Sequence, residues 1–172
     1  MLAAMSSTRS TPLSTWLRAV RPGFLVVTLV TAVLGIAVAW SCGCGRDVPA
    51  AVATVVLALL THAAVNLYND WGDAVGGSDA VNDGRIAPFT GGSRLIQDGV
   101  LDAARMRDAA QMLAIVVVGG GVWLAARAGA GLLAIGAAGV ALGWAYSNPR
   151  IALMGRGLGE LAVAAGWWLG VV

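Results

Sequence analysis

Five apolar segments separated by polar stretches constrain the fold of this chain more than any other feature. They are Phe24–Trp40, Val48–Leu67, Ala109–Ala126, Gly129–Tyr146 and Leu158–Val172. The first four have the roughly 17 to 25 residues that a helix needs to cross a bilayer, and the fifth is still apolar at the last residue. Because backbone polar groups in lipid must be satisfied within their own segment, these segments have to be helical. The sequence therefore predicts an all-α polytopic membrane helix bundle with about five transmembrane helices.

The composition agrees with a membrane protein and excludes several other classes. Hydrophobic residues make up 58% of the chain and charged residues 12%, against roughly 25% charged residues in soluble domains. The net charge of +2 does not indicate nucleic-acid binding, because the arginines are scattered and form no basic stripe. Cys42 and Cys44 are too few ligands for a structural zinc site.

The arginines predict how the helices are oriented. If the helices alternate in direction, nine of the eleven arginines fall on one side, and only Arg46 and Arg127 fall on the other. Cytoplasmic loops of membrane proteins carry an excess of basic residues. We therefore expect an integral protein of a bacterial-type inner (cell) membrane, with its N-terminus and its long polar loop in the cytoplasm.

Acidic and amide side chains gather where the second apolar segment ends. Asn66, Asp70 and Asp73 are spaced i, i+4 and i+7, which places them on one face of a helix. Their oxygen atoms are the hard ligands that Mg²⁺ prefers, and Mg²⁺ often uses one or two protein carboxylates together with substrate phosphates. A solvated, Asp-rich loop outside the bilayer is the alternative. His62 lies one turn earlier, where a hydrogen bond to a neighbouring helix is favoured over metal binding.

Three sequence motifs stand out in the polar parts of the chain. The first runs from Asn66 to Asp79 and includes Gly72-Asp73 and Gly77-Ser78-Asp79; the second is Thr90–Gly99; the third joins Tyr146–Arg150 with Gly155–Glu160. Together they resemble the UbiA superfamily of membrane prenyltransferases, and its menaquinone branch in particular. The resemblance extends over essentially the whole chain, but only over the N-terminal half of a typical member. It implies half of a nine-helix UbiA-type fold.

The resemblance also implies an activity and assigns roles to residues. Enzymes of this family transfer an isoprenyl group from a prenyl diphosphate to an aromatic acceptor, such as 1,4-dihydroxy-2-naphthoate in quinone biosynthesis, and use Mg²⁺. The catalytic residues implied here are Asp70, Asp73 and Asn66, with Asp70 and Asp73 as the metal ligands. The implied substrate-binding residues are Arg85, Arg94, Asp79 and Tyr146. Tyr146 could instead be an interfacial anchor.

The expected domain organisation follows from these assignments. Residues 1–22 form a cytoplasmic N-terminal lead, and residues 23–172 form a partial transmembrane prenyltransferase domain with a cytoplasmic Asp-rich loop at 69–108. The family uses a second Asp-rich motif, yet after Asp108 the only acidic residue is Glu160. We therefore expect the lone chain to be incomplete as an enzyme, with a second chain as a partner that completes the bundle.

Two alternatives stay open at this stage. One is a non-catalytic membrane fragment or half-module that needs a partner chain. The other is an enzyme similar to CDP-alcohol phosphotransferases, which also place Asp residues at a helix end; this is disfavoured because Asp83-Gly84-Arg85 lacks the rest of that pattern.

Overall fold

The computed structural model describes residues 11–44, 46–77, 84, 86 and 91–171, with side chains described as far as residue 166, and this part of the chain is helical. The helices are α1 (Leu13–Val20), α2 (Pro22–Ser41), α3 (Val48–Gly76), α4 (Ala103–Ala128), α5 (Gly131–Ser147) and α6 (Gly159–Val171), with a short 3-10 helix at Met154–Arg156. The described residues contain no β-strand. The predicted all-α helical membrane bundle is confirmed.

Each of the five predicted apolar segments corresponds to one helix, α2 to α6. Three of these helices, α2, α3 and α4, are long and apolar enough to cross a membrane, judged by length and composition. Helix α5 is also apolar but has 17 residues. These helices indicate an integral membrane protein.

The loop predicted at 69–108 is shorter than expected, because both flanking helices extend into it. Helix α3 continues past Leu67 to Gly76 and ends where Gly77 adopts a left-handed conformation, with φ of 81°. Helix α4 begins at Ala103, where the Asp102 carboxylate accepts a hydrogen bond from the backbone N–H of Arg105 at 2.8 Å. Hydrophobicity locates the apolar part of a helix, whereas capping residues decide where the helix ends.

Helices α3 and α4 approach each other closely at a single glycine. A Cβ atom placed on Gly120 would lie 2.5 Å from the Cδ2 atom of Leu57, whereas its neighbours Gly119 and Gly121 would meet no atom within 4 Å. Helices in membranes commonly use small residues to bring their backbones together. Gly120 therefore marks the contact line along which α3 and α4 pack.

A cluster of buried hydrophobic residues lies at one end of the bundle. It joins α1, the second half of α3, the segment before α4 and the first turns of α4, through Ala19, Leu67, Leu95, Leu101, Met106 and Ala110. In contrast, α2 contains no buried residue. The short helix α1 and the segment 91–101 are therefore packed against the end of α3 that carries the acidic residues.

Candidate functional site

The polar residues predicted on one face of α3 are buried. The residue-level exposure is 9% for Asn66, 3% for Asp70 and 7% for Asp73. We call these three residues the acidic cluster. Every buried residue of α3 lies between Ala63 and Asp73, so this cluster sits in the part of the helix that is covered by other elements of the protein.

Asp70 is held by an ion pair and by a backbone donor. The Nη2 atom of Arg21 donates a hydrogen bond to its Oδ1 atom. The backbone N–H of Ser93 lies 3.2 Å from Oδ1 and 3.1 Å from Oδ2. Two segments distant in sequence, the α1–α2 corner and the segment before α4, therefore meet on this one carboxylate.

The α1–α2 corner also contacts the neighbouring Asn66. The side-chain Nδ2 of Asn66 donates a hydrogen bond of 2.8 Å to the backbone carbonyl of Val20. This contact uses the amide nitrogen, and the amide oxygen is the atom of this group that can bind a cation. Since Val20 directly precedes Arg21, α1 is fixed to α3 at two positions one helical turn apart.

The Gly91–Arg94 segment has the backbone conformation that presents the Ser93 N–H to Asp70. Gly91, Gly92 and Arg94 have φ angles of 75°, 66° and 59°. Glycine adopts such angles without steric cost, but an arginine does not. Leu95, which is fully buried, anchors the end of this segment in the core.

The last turn of α5 packs directly against the acidic end of α3. A Cβ atom on Gly72 would lie 2.1 Å from the backbone oxygen of Ser147. On the adjacent turn, Asn69 Nδ2 lies 3.5 Å from Ser147 Oγ. Only a glycine at position 72 allows the two backbones to come this close.

A cavity of about 440 Å³ opens beside this contact, between α5 and α6. Tyr146, the residue before Ser147, lines it together with Met154 and Glu160. The Met154 sulfur also lies 3.8 Å from Asn69 Nδ2 on α3. The cavity therefore borders the acidic end of α3.

The predicted site residues have different outcomes in the structure. The structure brings Asn66, Asp70 and Asp73 together on one buried face and puts Tyr146 in the adjoining cavity. Arg94 follows Ser93, whose backbone N–H contacts Asp70. Asp79 and Arg85 lie outside the described residues.

His62 is oriented towards a neighbouring helix, as favoured. Its Nδ1 atom lies 2.6 Å from the hydroxyl oxygen of Thr28 on α2. This hydrogen bond joins α2 to α3 within the apolar part of the bundle.

Sequence analysis missed three residues of this site. Arg21 was assigned only to membrane orientation, and neither Ser93 nor Gly72 was assigned a contact. Their partners lie tens of residues away, and no local spacing pattern reveals contacts over that distance. The Gly91-Gly92 pair was a sequence signal for an unusual backbone near the cluster, whereas nothing in the sequence indicated the left-handed conformation of Arg21.

The acidic cluster fits Mg²⁺ in the chemistry of its donors. It supplies two carboxylates and one amide oxygen, and Mg²⁺ typically takes one or two protein carboxylates and completes its shell with water and phosphate oxygens. Within the described ranges, no group of three or more His, Cys, Asp or Glu side chains is gathered in a metal-binding arrangement. A site built from this cluster therefore depends on oxygens from the substrate.

One known protein shows clear sequence similarity to this chain. It is 1,4-dihydroxy-2-naphthoate octaprenyltransferase of Escherichia coli (strain K12), which is 34% identical over 113 residues; the match spans 66% of this chain and 34% of the relative. No family model matches the chain, and no solved structure does so either. The similarity confirms the predicted resemblance to a UbiA-type prenyltransferase, for part of the chain.

Proposed function

From this similarity, we propose that the chain is the part of a membrane prenyltransferase that binds Mg²⁺ and an isoprenyl diphosphate. The prenyl group would be transferred to an aromatic acceptor such as 1,4-dihydroxy-2-naphthoate, in quinone biosynthesis. The relative carries this type of activity in its name. The chain matches about a third of that relative, so we assign it the binding of the diphosphate rather than complete turnover.

The observation that carries the proposal is the burial of two carboxylates beside a basic residue at the end of an apolar helix. Buried carboxylates are costly unless they are paired or bind metal, and ionisable residues at membrane depth usually have a functional role. Asp70 and Asp73 lie one turn apart on α3, with Asn66 on the same face. This arrangement suits a diphosphate that arrives with its cation.

Each residue of the cluster has a distinct part in the proposed binding. Asp70 and Asp73 hold Mg²⁺, and Asn66 orients it through its amide oxygen. When bound, Mg²⁺ supplies the positive charge that stabilises the diphosphate as it leaves. Arg85 and Arg94 bind the diphosphate from the sequence that follows α3, since guanidinium groups form forked hydrogen bonds with phosphate oxygens. Asp79 supports substrate binding from the same stretch of sequence, by binding metal or fixing the loop.

The cavity beside Tyr146 suits the carbon chain of the substrate. Its lining includes Val163 and Ala164 in addition to the ring of Tyr146. An aromatic ring can stabilise an allylic cation through its electron-rich face. Positioning of the substrate and stabilisation of the leaving charge are then the protein's main contributions to catalysis.

The proposed orientation places the acidic cluster at the cytoplasmic side of an inner membrane. Arg21 and Arg94, which belong to the arginine-rich side in the sequence, both lie at this end of the bundle, in agreement with the positive-inside rule. Charged aromatic acceptors and Mg²⁺ are available there. A partner segment or chain would supply the second acidic motif of the family.

Binding of a non-hydrolysable substrate analogue tests this function. The purified chain in detergent is titrated with geranylgeranyl thiodiphosphate, with and without Mg²⁺. We expect binding that requires Mg²⁺ and that weakens about tenfold or more in Asp70→Asn or Asp73→Asn, because each loses a charged ligand.

Asp47→Asn is the matched control, because it removes an exposed aspartate from the opposite end of the same helix. It should bind the analogue with wild-type affinity. Affinity that is independent of Mg²⁺, or equal in wild type and Asp70→Asn, would contradict the proposed function.

A further inference from the structure

The guanidinium of Arg21 occupies the carboxylate that the proposed function gives to Mg²⁺. Arg21 donates to Oδ1 of Asp70, and the side chains of the two residues are 18% and 4% exposed. A metal that binds Oδ1 competes directly with Arg21, and a metal that binds Oδ2 draws electron density from the same carboxylate. In both cases the arrival of a metal at Asp70 weakens the contact with Arg21.

The backbone of Arg21 indicates that its placement is maintained at a cost. Arg21 is the single residue between α1 and α2, and it caps both helices. Its φ angle is 53°, which is in the left-handed region. The left-handed conformation is unfavourable for a residue other than glycine, and glycine would avoid that cost. An arginine in this conformation directs a long cationic side chain from the corner onto α3, which a glycine would not provide. Strain of this kind is common at functional sites.

The charges of the site explain what the arginine contributes. Asp70 and Asp73 carry two negative charges, and Arg21 reduces the net charge of the three side chains to minus one. A bound Mg²⁺ reverses the sign, and a diphosphate then brings further negative charge. A guanidinium already at the site can form hydrogen bonds with phosphate oxygens without first being recruited from water.

We propose that Arg21 exchanges partners: it neutralises Asp70 before the metal binds, and it binds the diphosphate once Mg²⁺ has taken that carboxylate. This inference rests on the proposed function, because it names a further substrate-binding residue for the same site. No covalent step is involved. Arg21 thus lowers the affinity for the metal alone and raises the affinity for the metal together with the diphosphate.

Separate titrations of metal and of diphosphate test the exchange. Mn²⁺, which can be followed by electron paramagnetic resonance, is titrated into the full chain without diphosphate. Geranylgeranyl thiodiphosphate is then titrated at saturating Mg²⁺. For Arg21→Gln we expect Mn²⁺ to bind about fivefold more tightly, because a competing positive charge has been removed, and the thiodiphosphate to bind about tenfold more weakly, because charged hydrogen bonds are lost.

Two further variants separate the exchange from a structural role. Arg18→Gln removes the same charge from an exposed position on α1 and should leave both affinities unchanged. Arg21→Lys keeps the charge without the fork, and we expect wild-type Mn²⁺ affinity with an intermediate loss of thiodiphosphate affinity. If Arg21→Gln is poorly folded, Arg21→Lys decides: unchanged thiodiphosphate affinity in that variant would overturn the proposal.

The remaining outcomes are also decisive. Opposite changes in the two affinities support the exchange. A parallel loss of both affinities, or equal effects of Arg18→Gln and Arg21→Gln, would show that Arg21 only stabilises the fold. If wild type binds no thiodiphosphate with Mg²⁺, the proposed function fails, whereas the Mn²⁺ titration still reports whether Arg21 competes for Asp70.

Discussion

The two ends of α3 carry the same kind of ion pair in opposite surroundings. At its first residues, Asp47 pairs with Arg127 of α4, and both side chains are more than 40% exposed. Towards its last turns, Asp70 pairs with Arg21 and is almost fully buried. Exposed pairs contribute little to stability, whereas a buried charge depends on its partner. The comparison shows that the contribution of an Arg–Asp pair to stability depends on how deeply its two side chains are buried, because both pairs have the same chemistry.

The surroundings of each pair follow from the packing. The exposed pair joins Asp47, which caps the start of α3, to Arg127 in the last turn of α4. Arg127 also lies over the ring of Trp123, with its guanidinium carbon 5.1 Å from the ring centre. The buried pair joins three parts of the chain, because Arg21 directly follows α1, Asp70 belongs to α3, and the Ser93 N–H of the segment before α4 also donates to Asp70. The first end of α3 is a helix start with an ordinary cap, and the second carries the candidate functional site.

The largest expected effect is the loss of the buried carboxylate. Asp70→Ala removes the carboxylate that pairs with the half-buried Arg21 and that accepts the hydrogen bonds from the Ser93 N–H. We expect a loss of stability on the order of 3 kcal/mol. Thermal unfolding of the purified chain in detergent measures it. If Asp70→Ala were as stable as wild type, the buried pair would contribute no more to stability than the exposed pair does.

A smaller effect is expected where α5 packs on α3. Gly72→Ala pushes a methyl group into the backbone oxygen of Ser147, and relief requires the two helices to move apart. We expect a loss of about 1 to 3 kcal/mol, typical of an overpacked contact. Gly76→Ala is the control on the same helix, because a Cβ atom there would meet no atom within 4 Å.

The melting temperatures of these two alanine variants test whether α5 rests on Gly72. Equal melting temperatures for Gly72→Ala and Gly76→Ala would show that α5 does not rest on Gly72. A loss confined to Gly72→Ala, accompanied by weaker thiodiphosphate binding, would link this packing contact to the acidic cluster.

The smallest effect is expected at the exposed pair. Asp47→Asn should change the melting temperature by an amount at the limit of detection, and 0.5 M salt should remove what remains, since exposed charges are screened. A salt-resistant loss comparable with that of Asp70→Ala would contradict the contrast between the two ends.

The pH dependence of this small effect has a predictable sign. The backbone N–H of Ala50 and then the Arg127 side chain hold the pKa of Asp47 below its ordinary value. A lowered pKa in the folded state means that the stabilisation is present above the ordinary value of about 3.9 and is lost as the pH falls through the lower folded value. Wild type and Asp47→Asn should therefore differ equally at pH 7 and pH 5, and converge only in stronger acid.

The sequence predicted the helices well because hydrophobicity is a local property. Each apolar run corresponds to a helix, and the spacing of Asn66, Asp70 and Asp73 correctly indicated a shared face. The ends of α3 and α4 were missed, because buried polar residues such as Asp70 continue a helix without adding to an apolar run. Helix ends depend on caps such as Asp102 and Gly77.

The contacts that complete the site could not be predicted. Arg21 and Asp70 are 49 residues apart, and Gly72 meets Ser147 across an even longer gap in the sequence. Nothing in a local pattern distinguishes Arg21 from Arg18, although only Arg21 reaches the cluster. Similarly, Gly120 resembles Gly119 and Gly121 in sequence, and only the packing of α4 selects it.

The close approach of Gly72 and Ser147 also sets the electric field at the acidic cluster. Helix α5 ends at Ser147 and α3 ends at Gly76, so the carbonyl ends of two helices converge beside Asp70 and Asp73. The C-terminus of a helix carries about half a negative charge, which adds to that of the carboxylates. This negative field disfavours an anion that arrives alone and favours one that arrives with its cations. Under the proposed function, we therefore expect substrate and metal to bind here interdependently, each raising the affinity for the other.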